Sequence, residues 1–175
     1  MTSVIDLHTA PAAGFDEPFE MLDACHQRVE RMLALLERLE AHLPVNGADE
    51  QARQAARDVM RYFDLAAPHH HEDEERHVLP LLRAQGRADL AERVLDEHRV
   101  MHAAWESLRT ALQQIADASW ASADSAAPGG RDFCALYRAH IAVEERDVYP
   151  LARAAIDAPG LKAMAEEMAR RRGVR

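Results

Sequence analysis

The chain has 175 residues, enough for one domain with a continuous core, and its 30 acidic against 21 Lys and Arg residues give a formal charge of −9. That balance argues against a phosphate-backbone partner, which needs a basic face. No apolar run approaches the ~18 residues of a membrane span, and Met1 to Gly14 lacks the basic start and apolar stretch of a leader. A cytoplasmic location is expected, and two cysteines, Cys25 and Cys134, make no disulfide framework.

Sustained period-two alternation is absent, whereas helical periodicity is strong in four segments. The first runs from about Glu17 to Leu43, with Asp16 as N-cap, Pro18 in the first turn and Pro44-Val45-Asn46-Gly47 as its stop. The second runs from near Asp49 to near Gln85, with Gly86 as its end and Pro68 as a kink before a run of histidines. The third covers about Asp89 to Ser119, and Ser122 to Gly130 forms a loop. The fourth runs from Asp132 to about Ile156, and a shorter amphipathic fifth follows Pro159. Long helices with short connections predict an all-α, up-down-up-down four-helix bundle over residues 16–156. Residues 1–15 form an irregular N-terminal arm and residues 157–175 a short C-terminal helix. The basic end of that helix (Lys162, Arg170, Arg171, Arg172, Arg175) reads as a solvated terminus that complements the dipole.

A thirteen-residue stretch occurs twice. His70 to Leu82 aligns without a gap on His140 to Ala152, with seven identities: the leading His, Glu-Glu-Arg, Val and Pro-Leu. In each copy a His precedes a Glu by four residues, so both share one helix face. The core stripes are apolar at both ends and polar in the middle. The first helix reads Leu22, His26, Val29 and the second Phe63, His70, Glu74, Val78. The third reads Val94, His98, Met101, His102, Trp105 and the fourth Tyr137, His140, Glu144, Val148. Burying that many uncompensated polar groups would cost roughly several kcal/mol each. A shared metal cluster is the expected partner.

Among His69, His70 and His71, the duplication selects the inward residue. His70 precedes Pro80 as His140 precedes Pro150, so His70 and Glu74 point inward while His69 and His71 are expected at the surface. Glu145 remains a rival to Glu144. The candidate ligands are His26, His70, Glu74, His98, His102, His140 and Glu144. Nitrogen and oxygen donors without thiolate suit iron, manganese or zinc, and seven donors exceed a structural zinc tetrahedron. Two octahedral irons, bridged by both carboxylates and an oxo or hydroxo group and carrying five imidazoles, retain one open position for O₂, NO or peroxide. Without His102 two positions open, so carrier versus enzyme turns on that residue. A carboxylate-rich ferritin-like centre is disfavoured, because only Glu74-Glu75-Arg76-His77 has the Glu-x-x-His spacing and Asp147 stands at the second place.

From about Phe15 to Ala155 the chain resembles the hemerythrin family, specifically the bacterial hemerythrin-like HHE cation-binding domains. The residues that carry the likeness are Asp23-Ala24-Cys25-His26, His70-x-x-x-Glu74 with its Leu-Pro, Glu97-His98, and His140-x-x-x-Glu144 with Tyr149-Pro150. The resemblance implies a non-haem di-iron centre in a four-helix bundle, in proteins that bind O₂ or NO, sense iron or oxygen, assist repair of iron–sulfur centres, or decompose peroxide. Oxygen-carrying members use His-x-x-x-x-Asp on the fourth helix, where this chain has His140-x-x-x-Glu144; it shares their third-helix pair as His98-x-x-x-His102. Three roles stay open: a sensing, storage or stress-protection protein for O₂ or NO; an enzyme acting on peroxide or NO, or an iron donor for cluster repair; and a structural or storage bundle. Glu30 could accept from an imidazole, Tyr137 could bond a ligand, and His77 and Cys25 read as surface and packing residues respectively.

Overall fold

A computed structural model describes residues 17–120 and 129–174, and among them every regular element is helical. Helix α1 spans Pro18–Asn46. Helix α2 comprises Glu50–Asp73, a π-helical turn Glu74–Val78 and a last α-segment Leu79–Ala84. Helix α3 spans Ala88–Ala116. Helix α4 repeats the construction of α2, with Gly130–Val143, a π turn Glu144–Val148 and Tyr149–Ala155. Helix α5 spans Ala158–Arg171. The expected arm, Asp16 and most of the Ser122 to Gly130 loop lie outside the described residues.

The boundaries follow local chemistry. Asp49 accepts the Ala52 N–H at 2.9 Å and starts α2, and Asp157 accepts the Gly160 N–H at 2.8 Å and starts α5. Helix α1 passes through Pro44 and stops only where Gly47 adopts φ 67°, past the expected end at Leu43. Pro68 sits inside an unbroken stretch of α2.

The pronounced irregularity comes at Pro80 and Pro150. A proline ring collides with the carbonyl four residues earlier and donates no hydrogen bond to it. Both helices absorb this by widening: Leu79 N–H bonds to Glu74 C=O, and Tyr149 N–H bonds to Glu144 C=O. Such turns recur at functional sites, and here each begins on a glutamate of the duplicated motif.

Helix α1 packs against α2 and α4, and α3 packs against the same two. The apolar interior is divided in two. One cluster contains Val29, Leu33, Phe63, Met101, Trp105, Phe133 and Tyr137. The other contains Phe19, Leu22, Val78, Leu82, Val94, Val148 and two α5 residues, Met164 and Met168. Along each long helix the break between clusters falls at a histidine. His26 lies between Leu22 and Val29, and His98 between Val94 and Met101. The two apolar blocks therefore sandwich a polar layer that is itself buried.

Candidate metal centre

Four helices deliver side chains to that layer: His26 from α1; His70, His71 and Glu74 from α2; His98 from α3; His140 and Glu144 from α4. Two clusters of potential ligand atoms form, His26–His70–Glu74–Glu144 and His98–His140–Glu74–Glu144, each with its atoms within 4.8 Å of one another. They share both carboxylates. A third cluster adds His71 to His98 and His140.

Inside the layer, His26 Nε2 lies 3.2 Å from Glu144, His140 Nε2 2.9 Å from Glu144, His98 Nε2 3.4 Å from Glu74, and His70 Nε2 3.6 Å from Glu74. Few of these approaches make a hydrogen bond. His98 Nε2, His140 Nε2, His71 Nε2, His70 Nδ1, Glu74 Oε2 and both Glu144 oxygens are buried without a hydrogen-bond partner. Leaving one such atom unpaired costs about 1–3 kcal/mol, so this density of orphaned donors and acceptors fits a bound cation. The donor set, imidazole nitrogen and carboxylate oxygen, is one that divalent first-row metals accept.

The outward edges of the rings are braced. Nδ1 of His98 donates to Glu75, that of His26 to Glu145 at 3.1 Å, and that of His140 to Glu97 at 2.8 Å. A carboxylate can only accept, so each brace puts the ring proton on Nδ1 and leaves Nε2 free to face inward. The brace is missing at His70. Counting back from His26 and His98, Cys25 stands where Glu97 stands, and the His70 Nδ1 is unpartnered.

Electrostatics separate the imidazoles into two groups. Burial opposes charge on His26, but the nearby carboxylates of Glu144, Glu74 and Glu145 lift it to about 9. His98 is likewise lifted, against burial, to about 11 by Glu144, Glu74 and Glu75, and His140 is raised by Glu144. Burial dominates elsewhere, pulling His70 down to about 4 and His71 well below its ordinary value. Glu144 is held far below the carboxylate range despite its burial, by His140, His26 and His98. Without a cation, protons on the imidazoles compensate the carboxylate charge.

Tyr149 closes one side of the layer. Its hydroxyl donates to Glu74 at 2.5 Å and lies 3.1 Å from His26 Nε2, and its ring stacks on His26. Burial and the nearby glutamates raise the phenol well above its usual range, so it keeps its proton. On the other side a cavity of about 280 Å³ runs from the surface to His71 and His98, walled by Phe63, Met101, Trp105 and Tyr137.

Of the seven residues expected from the sequence, the structure brings six together. His102 is the exception: its side chain is 71 % exposed, it pairs with Glu106 at 3.5 Å, and it stands beside the cavity mouth. The buried stripe of α3 continues from His98 through Met101 and Trp105, which leaves His102 at its outer edge. His71, expected at the surface, instead turns inward and stacks on His98 at 4.1 Å. Glu145, the rival to Glu144, is half exposed and braces His26 from outside. Glu30 pairs with Arg138 and touches no imidazole, while His77 pairs with Glu167. Tyr149 and the bracing role of Glu75, Glu97 and Glu145 were not foreseen. The braces have a sequence signal, a glutamate directly beside Glu74, His98 and Glu144.

No helix among the described residues is long and apolar enough to cross a membrane. A protein of Haemophilus influenzae, described as an uncharacterized protein, is 30% identical over 168 residues, covering 93% of this chain and 94% of its own length. Residues 17–152 match the family described as Hemerythrin HHE cation binding domain, and that span contains every side chain of the polar layer. With histidines and glutamates from four helices gathered into cation-sized clusters inside the matched region, the chain belongs to the hemerythrin HHE cation-binding family.

Proposed function

We propose that the layer would hold two iron ions, with Glu74 and Glu144 common to both ligand sets, and that the protein binds O₂ or NO for sensing, storage or stress protection. The observation that carries this reading is the sharing of both carboxylates by two ligand clusters. His26 and His70 serve one position; His98, His140 and His71 serve the other. The four long helices, α1 and α3 each packed against α2 and α4, are read as the up-down-up-down bundle that such a centre requires.

Iron in a nitrogen–oxygen donor set supplies redox chemistry and an open place for a diatomic molecule. The chain's own groups set the surroundings. With His71 in place of His102 the imidazole count is unchanged, and the position with fewer imidazoles is the one beside Tyr149. The Tyr149 hydroxyl, whose single proton goes to Glu74, fixes that carboxylate there, and the apolar cluster excludes bulk water. Glu75, Glu97 and Glu145 hold three imidazoles in the tautomer that presents Nε2. The cavity at His71 exceeds a diatomic in size, which favours as second reading an enzyme acting on peroxide or NO.

Anaerobic loading with iron(II) tests the proposal. Two irons per chain are expected, falling to one or none in Glu74→Ala and Glu144→Ala. An absorption change with O₂ or NO that reverses when the gas is removed supports binding, and steady consumption of peroxide or NO supports the enzyme. A wild-type ratio of one or less would sink the di-iron reading.

A further inference from the structure

From the sequence the basic end of the chain reads as a solvated helix terminus; the structure instead turns two of its arginines, Arg171 and Arg172, onto α2. Asp73, the residue before Glu74, is fully buried, and its carboxylate is held by two guanidiniums, one from the last residue of α5 and one from the residue that caps it. Arg171 Nη2 donates to Oδ1, while Arg172 donates to Oδ1 at 3.1 Å and to Oδ2 at 2.5 Å. Arg171 also reaches Glu72 at 3.1 Å. On the far side of Glu74, His77 Nε2 meets Glu167 of α5 at 2.7 Å. Helix α5 thus grips the π turn both before and after its glutamate. Its Met164 and Met168 are buried in the same apolar cluster as Val78, Leu79 and Leu82 of α2.

The internal duplication shows that this grip is specific to one copy. Glu72, Asp73 and His77 correspond to Ala142, Val143 and Asp147. Val143 lies in the apolar cluster, and Asp147 pairs with its neighbour Arg146 at 2.6 Å. Glu144 is therefore carried by a turn packed with apolar side chains, and Glu74 by a turn held through ion pairs to another helix. A buried carboxylate survives only while paired, since removing its partners leaves an uncompensated charge. Asp73 needs α5 in place, and Glu74 follows it by one residue on the same widened turn.

We propose that α5 is a positioning latch for the metal centre, in which Arg171 and Arg172, by fixing Asp73, aim Glu74. This rests on the reading of Glu74 as a metal ligand. If α5 docking and cation binding favour the same arrangement of the turn, each must strengthen the other by the same factor. Metal loading then tightens α5, and release of α5 loosens the metal.

The experiment has two arms. Iron(II) affinity is measured anaerobically, by competition with a chromogenic chelator, in wild type, in Arg171→Ala/Arg172→Ala, and in Arg57→Ala as a control on a remote surface pair. A loss of about 10-fold or more is expected in the double variant, within the usual 5–150-fold range of such couplings, with none in the control. Arg171→Lys/Arg172→Lys should recover part of it by restoring charge without the fork. In the second arm, amide hydrogen exchange of Lys162–Arg171 is followed in wild type with and without iron, relative to Trp105–Leu112 in α3. Iron should slow α5 by a factor similar to the affinity loss. Unchanged affinity in the double variant, or α5 exchange indifferent to iron, overturns the latch. Should the double variant not fold, the wild-type arm decides alone. A wild-type chain that takes up no iron overturns the latch and the metal centre together, whereas one that binds iron while α5 stays unresponsive overturns the latch only.

Discussion

Nδ1 of His98 lies 2.9 Å from a Glu75 carboxylate oxygen, and Glu75 immediately follows the glutamate that this same ring faces through Nε2. One turn of α2 therefore presents an inward carboxylate to the polar layer and an outward one to the back of the imidazole. Removing such a partner lowers metal affinity by about 10–100-fold. Glu75→Gln and Glu97→Gln should each fall in that range with helicity retained, as chelator competition would show. Affinity equal to wild type in both variants would mean that the braces do not orient the rings.

His71 and His102 exchange the roles that the sequence suggested. His71→Ala should lower bound iron or shift its absorption, because it removes a donor from the His98–His140 cluster. His102→Ala, at an exposed side chain, should leave iron content unchanged and stability within about 0.5 kcal/mol. Metal analysis and thermal melts on the two variants decide the matter. The reverse outcome would restore His102 to the ligand set.

The metal-free protein should be most stable near pH 6.5. His26 and His98 have folded values of about 9 and about 11, above the ordinary 6.5. Their contribution is complete below about 6.5 and is lost as pH rises through those values. His70, depressed to about 4, acts in the opposite window: below 6.5 the unfolded chain takes up its proton while the folded chain does not, so stability falls toward pH 4. Glu144, held low, loses its contribution in acid as well. Melting temperatures from pH 4 to 10 should trace a maximum, and a flat profile would contradict these shifts. Metal must displace the protons on His26 and His98, so loading at pH 7 should acidify an unbuffered solution.

Tyr149→Phe removes a buried hydroxyl that donates to Glu74. A cost of about 1–3 kcal/mol is expected in the metal-free protein, where a buried acceptor is left unpaired. The iron-loaded protein should release its diatomic ligand several-fold faster if the hydroxyl bonds it. Stopped-flow dissociation measures this, and unchanged release would confine Tyr149 to positioning Glu74.

Much of this architecture was legible in the chain. The break in each apolar stripe at His26, His70, His98 and His140 marked the layer, and the repeated His-x-x-x-Glu marked its carboxylates. His71 was lost because the duplication was used to choose among three adjacent histidines, and its counterpart is Ile141. The polar layer admits two neighbouring side chains of α2, although they diverge by about 100° around the helix. Tyr149 was hidden for a related reason, since its counterpart is Leu79. Periodicity alone does not reveal a helix that widens at Pro80 and Pro150. The arginines of α5 read as solvated because their partner, Asp73, looked like one more acid in a run of charges.

The widened turns also fix how the chain tolerates length changes. Each accommodates a surplus residue, so the segments before and after it keep the phase of a regular helix one residue shorter. Deleting a single residue within 75–77 would let α2 relax to ordinary pitch while leaving Glu74 beside His70. Val78 and Leu82 would then stay near their present phase and keep the apolar cluster they occupy, whereas inserting a further residue there would turn them by about 100° relative to the donors. Insertions between the glutamate and the proline should accordingly be tolerated less well than the loss of one residue, provided that Glu75 and His77 are kept.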